Sequence, residues 1–233
     1  MIRPNRYDYL KVLALLTMIV DHIGYFLYPE FIRLRVIWRI SFPLFLLLVG
    51  YNASYRFSLS LWSIAFLLQW VMYIAFLMWY IPLPVWNILL AIVLTRVILS
   101  RITNQSLFLQ RMVFIISIIV LPYSYSIIDY GSLSISFGLI GWRMRTTSTP
   151  THTSWWTLAT IWASTIVTYM IFMVYTSNFW PQTYRALFAM SVLLYFCGMW
   201  LYRGNNPLLL SKITDKSILR LSKHTLFLYL IHA

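Results

Sequence analysis

The feature that most restricts this chain is a succession of long apolar runs joined by short polar stretches, with no segment between them large enough for a water-soluble domain. The runs centre on Leu16, Leu46, Leu68, Ile92, Ile116, Phe137, Trp162 and Leu193, and a last one begins near Leu219. A helix needs roughly 17 to 25 apolar residues to cross ~30 Å of hydrocarbon, where each backbone amide must find its partner within the segment. The pattern predicts an all-α fold, a polytopic transmembrane helical bundle of about eight or nine spans. With 61% hydrophobic and 10% charged residues, the chain has too few polar side chains to cover a water-facing surface. It shows no internal repeat, Gly/Ser linker or low-complexity block, so residues 1–233 read as a single integral membrane domain. The first run, Leu10 to Tyr28, is too long for a signal-peptide core and no small-residue cleavage site follows, so it is expected to be a retained span. The lone cysteine, Cys197, lies in an apolar run and is assigned a packing role.

The net charge of +13 is first a topology signal. When joints are counted alternately from the N-terminus, one side holds Arg3, Arg6, Lys11, Arg56, Arg96, Arg101, Arg111, Arg143, Arg145, Arg203, Lys212, Lys216, Arg220 and Lys223. The other holds Arg33, Arg35 and Arg185 with the acids Glu30 and Asp129. The positive-inside rule then places the N-terminus of this multi-pass protein in the cytoplasm. Because the basic residues are scattered over short joints rather than gathered on one face, nucleic acid is not an expected partner; membrane lipid is.

Against this background Asp21 and His22 stand out, adjacent near the far end of the first run in a chain with five acidic residues and four histidines. A carboxylate near the centre of a membrane helix costs roughly 2.5 to 3.5 kcal/mol, so an intramembrane ionisable residue marks a functional site by default. The bland alternative is an interhelical ion pair that only fixes packing. His22 lies about 13 residues beyond Tyr9, or ~20 Å along a helix, which puts it in the outer half of the hydrocarbon. Arg39 returns toward it. If the second span starts near Arg35 and runs inward, Arg39 lies roughly one turn below the outer surface, and antiparallel neighbours on a short loop are normally in contact. Asp21 and His22 point about 100° apart, so each needs a partner elsewhere.

His232, if the last helix begins near Leu219, reaches a similar depth, with an interfacial position beside Tyr229 as the alternative. Asp129, in Asp129-Tyr130-Gly131, is a further acid on the outer side, for which capping the next helix is the plain role. His152, in the polar joint Thr146 to Ser154, and His224, in a basic amphipathic stretch, are expected to be solvated. Four dispersed histidines and one cysteine give no metal-ligand spacing, and there is no glycine-rich phosphate loop or GxSxG motif, so no metal cofactor or serine hydrolase chemistry is expected. The final run, Thr225 to Ala233, is too short to span; either the natural protein is longer or the last helix is a half-span lining the site.

The stretch from Tyr9 to Gly24, with Asp21-His22 near its end, followed by Arg39-Ile40-Ser41-Phe42-Pro43-Leu44-Phe45, closely resembles the TraX family of conjugative pilin-modifying membrane proteins. Asp129-Tyr130-Gly131 and, more loosely, Leu228-Tyr229-Leu230-Ile231-His232 continue the likeness, while the middle from Trp62 to Ser126 contributes no motif. More distantly, the chain resembles acyltransferase family 3 and the heparan-α-glucosaminide N-acetyltransferases. The resemblance implies acyl transfer, in the TraX case acetylation of a pilin N-terminus during plasmid conjugation through type IV secretion. An acceptor amine must lose a proton to attack a thioester, and a histidine with an ordinary pKa near ~6.5 suits that task, so His22 is the expected base. Asp21 would orient an imidazole or pair with Arg39, and Arg39 would stabilise the oxyanion. An acetyl-CoA donor would be cytoplasmic, its phosphates meeting Arg56, Arg96, Arg101, Arg111, Arg143 or Arg145, residues that the positive-inside rule already explains. Two other functions remain open: closure of the pilin into a ring by joining its termini, and a non-catalytic pilin chaperone or small carrier.

Overall fold

The structure, a computed structural model, describes residues 4–28, 30, 39–52, 59–79, 88–124, 131–146, 152–177, 184–202 and 217–222. The described residues form α1 (Arg6–Leu27), α2 (Ser41–Tyr51), α3 (Leu59–Trp79), α4 (Ile88–Ile102), α5 (Leu107–Ile119), α6 (Leu121–Ser124), α7 (Leu133–Thr146), α8 (His152–Ser177) and α9 (Tyr184–Tyr202), with a helical stretch at 217–222. The all-α expectation holds among these residues. The count of eight or nine full spans is not confirmed: among the described residues two segments, Thr157–Val174 in α8 and Arg185–Tyr202 in α9, are long and apolar enough to cross a membrane. The runs around Leu46 and Ile116 give helices of 11 and 13 residues, or about 16 and 20 Å of rise.

Proline explains both short helices. Pro43 lies in the first turn of α2, where its missing amide has no helical duty; a helix entering from Arg35 would instead need that amide to close onto Arg39. Arg39 and Ile40 accordingly form a turn, and the first helical bond runs from the Leu44 N–H to the Ile40 carbonyl at 3.2 Å. Arg39 thus stands just before a helix, not one turn inside it. Likewise α5 stops at Ile119, and the chain restarts as α6 around Pro122, with the Ser124 N–H donating to the Val120 carbonyl at 2.9 Å.

The chain divides into two compact units, Met1–Leu48 with Arg143–Ala233, and Val49–Trp142. In the first unit α9 packs against both α8 and α1. The buried face of α8 runs through Leu158, Trp162, Thr165, Ile166, Tyr169 and Met173, spaced as a 3.6-residue period requires, while Val167 and Ile171 lie exposed. On α9, Leu187, Met190, Leu194, Cys197 and Leu201 are buried and Phe188 and Phe196 exposed. The N-terminus of α1 is held by a capping box: the Asn5 side chain accepts from the Asp8 N–H, and the Asp8 carboxylate accepts from the Asn5 N–H, each at 3.1 Å. Ser222 donates to Asp8 Oδ1 at 2.6 Å and accepts from Lys11 Nζ at 3.4 Å, fastening the 217–222 stretch to α1.

In the second unit α3 packs against α4. Gly50 and Gly138 bring the end of α2 and the middle of α7 into backbone contact, since a Cβ on Gly50 would overlap the Gly138 carbonyl. Gln110 closes the α4–α5 joint, its Nε2 donating to the carbonyls of Ile102, Thr103 and Gln105 at 3.4, 3.4 and 2.9 Å. Serines join α5, α6 and α7: Ser117 and Ser136 hydroxyls share a hydrogen bond of 2.5 Å, and the Ser132 N–H donates to Ser124 Oγ at 2.8 Å.

Candidate functional site

The site is assembled from the far half of α1 and the turn before α2, both in the first unit. α1 carries Leu10, Ala14, Leu15 and Met18 as a continuous buried stripe, so its register against α9 is fixed upstream of the acidic residue. Asp21 and His22 follow within the last two turns of α1. Asp21 is half-buried, and its Oδ1 is closed off from solvent. The side chain of His22 lies outside the described structure, as do His232, Asp129 and Arg56 entirely.

Arg39 is also half-buried, and its Nε is likewise closed off from solvent. A carboxylate and a guanidinium with sequestered atoms thus belong to one unit, where a low-dielectric setting strengthens any interaction between them and any hydrogen bond either offers to a reacting group. The backbone of Arg39 is held by a residue that sequence reasoning missed. Tyr169 Oη donates to the Arg39 carbonyl at 3.0 Å. Its ring stacks with Phe42 at 6.5 Å and with Phe172 at 6.4 Å. Pro43 was the available signal, because a proline four residues after Arg39 leaves that carbonyl without its helical donor.

The other expected positions that the structure describes lie on other helices. Arg96 is half-buried within α4, and Arg101 is exposed in its last turn. Arg143, half-buried, and Arg145, exposed, occupy the last turn of α7. Cations in a last turn complement the helix dipole, so Arg101, Arg143 and Arg145 have a structural role in place. The helix that follows Asp129, itself outside the described residues, is α7: it begins at Leu133, Ser132 stands before it, and Gly131 turns the chain with a φ of 54° that residues other than glycine rarely adopt. His152 is the first residue of α8 rather than part of a loop. Among the described residues, no group of three or more His, Cys, Asp or Glu could hold a metal ion.

The exposed side chains of α3, α8 and α9, among them Trp70, Leu77, Met78, Val167, Ile171, Phe188 and Phe196, are apolar and large. Apolar surfaces of this extent suit contact with lipid or with another protein rather than with water. Together with the two membrane-length segments they define an all-helical membrane protein that keeps a carboxylate and a guanidinium partly out of solvent.

Within that class the chain belongs to the TraX protein family, whose pattern it matches over residues 6–206. The match takes in Asp21, His22, Arg39 and Tyr169. An uncharacterized protein of Rickettsia prowazekii is similar, 33% identical over 142 residues that make up 60% of this chain and 56% of that protein. The chain therefore spans little more than half the length of that relative. No solved structure matches.

Proposed function

We propose that the protein is a membrane acyltransferase that acetylates the N-terminus of a conjugative pilin subunit, at a site in the outer half of the inner membrane. The observation that carries this is the presence of Asp21, His22 and Arg39 in one unit, inside the span matched by the TraX family, with Asp21 Oδ1 and Arg39 Nε withdrawn from solvent. His22 takes the proton from the pilin ammonium, which frees a nitrogen lone pair to attack the acetyl carbonyl. Arg39 stabilises the resulting oxyanion, and the thiolate of the donor leaves as the tetrahedral intermediate collapses to the amide. Asp21 is set to hold either the imidazole tautomer or the guanidinium in place. Acetyl-CoA is the proposed donor, entering from the cytoplasm past basic residues such as Arg56, Arg96, Arg101 and Arg143, with the N-terminus of the chain on that same side.

The test is transfer in vesicles containing the purified protein and full-length pilin, supplied with isotope-labelled acetyl-CoA. The expected result is label on the pilin α-amino group with wild type and none with His22→Ala. Pilin that loses the mass of one water with no label acquired would identify ring closure instead. Pilin modification retained with His22→Ala, the protein still inserted, would overturn the catalytic role and favour the chaperone or carrier function.

A further inference from the structure

We propose that Tyr169 is a positioning residue for Arg39, setting the direction of its guanidinium through the backbone of the turn that carries it. What the guanidinium then does rests on the acyl-transfer function proposed above. Pro43 stands where a helical amide would close onto the Arg39 carbonyl, and proline has no amide to offer. Tyr169, fully buried in α8, supplies the missing donor at 3.0 Å. Its ring stacks on Phe42, three residues after Arg39, and on Phe172 one turn along its own helix. Hydroxyl and ring therefore grip the same turn from one side chain. Phenylalanine would fill the space equally well, so losing the hydroxyl removes its bond to the Arg39 carbonyl without emptying the core. A long cationic side chain inherits its direction from the backbone on which it stands, and the peptide following Arg39 is the one this hydrogen bond fixes.

Tyr169→Phe keeps the ring and removes the bond. With arginine labelled at 15Nε, the Arg39 resonance, assigned by its loss in Arg39→Lys, is followed in wild type, in Tyr169→Phe and in Met173→Leu, a neighbouring core control. The expected result is a displaced or broadened Arg39 resonance in Tyr169→Phe alone. Adding Pro43→Ala restores an amide four residues after Arg39 and should return the resonance toward its wild-type position. An unmoved resonance in Tyr169→Phe, or an equal displacement in Met173→Leu, would overturn the proposal. If Tyr169→Phe does not fold, the rescued double variant decides the matter: a wild-type resonance there supports the carbonyl as the route, and a displaced one refutes it. None of this requires pilin, so the outcome is separable from the acyl-transfer function. Where acetylation is observed, Tyr169→Phe should lower kcat roughly tenfold or more with KM for pilin little changed, and should add no further loss to Arg39→Lys. Fully additive losses would contradict coupling through Arg39.

Discussion

Asp8 does two jobs from one carboxylate, closing the capping box of α1 and accepting the Ser222 hydroxyl. Ser222→Ala removes the second contact together with the long Lys11 hydrogen bond and should cost about 1 kcal/mol, whereas Asp8→Ala removes both contacts of the carboxylate and should cost about 2 to 3 kcal/mol. Thermal unfolding in detergent checks the order, and equal losses would show that the capping box contributes nothing. The same scale holds the contrast between Asp21 and Tyr169. Asp21 was legible in the sequence because a charge within an apolar run is rare and costly, and the structure does keep part of it from solvent. Tyr169 was not legible. It is one of 17 tyrosines, inside a run whose apolar character explains its presence, and its partner lies 130 positions away in sequence. Arg39 was found as a charge but assigned to the inside of a helix, whereas α2 begins after it, at Ser41, with Pro43 in its first turn.

At the scale of elements, every apolar run centre falls within a helix, because hydrophobic patterning over a long window reports helix existence well. Helix length was less legible. Pro43 and Pro122 interrupt segments whose composition is uniformly apolar, and counting apolar residues passes over the breaks. Packing between elements depends on single small or amide side chains. Gly50→Ala would drive a Cβ into the Gly138 backbone, which cannot rotate away, and should cost about 1 to 3 kcal/mol. Leu67→Ala on the exposed side of α3 provides the comparison and should stay within about 0.5 kcal/mol. Gln110→Leu keeps the volume but withdraws the donor from the carbonyls ending α4, at a cost of about 1 to 3 kcal/mol. Thermal unfolding of the three variants ranks them directly, and a neutral Gly50→Ala would mean that α2 and α7 do not approach as described.

For the whole molecule, the decisive property is that large apolar side chains lie on the outside of helices that also have well-filled inner faces. If that outside faces lipid, Phe196→Lys near the middle of the α9 span should cost about 2.5 to 3.5 kcal/mol and lower the fraction inserted; on a water-facing surface it would be nearly neutral. Membrane insertion measured by carbonate extraction distinguishes the two. A molecule of this kind can gain chemistry where it tolerates charge inside an apolar body; its first unit keeps atoms of Asp21 in α1 and of Arg39 in the turn before α2 from solvent, and His22 follows Asp21 in the chain. The intact mass of pilin from cells carrying wild type, His22→Ala or Arg39→Gln, each shown to be inserted, tests that claim most directly. Wild type should add one acetyl group, His22→Ala none, and Arg39→Gln a strongly reduced fraction; acetylated pilin in the His22→Ala cells would contradict it.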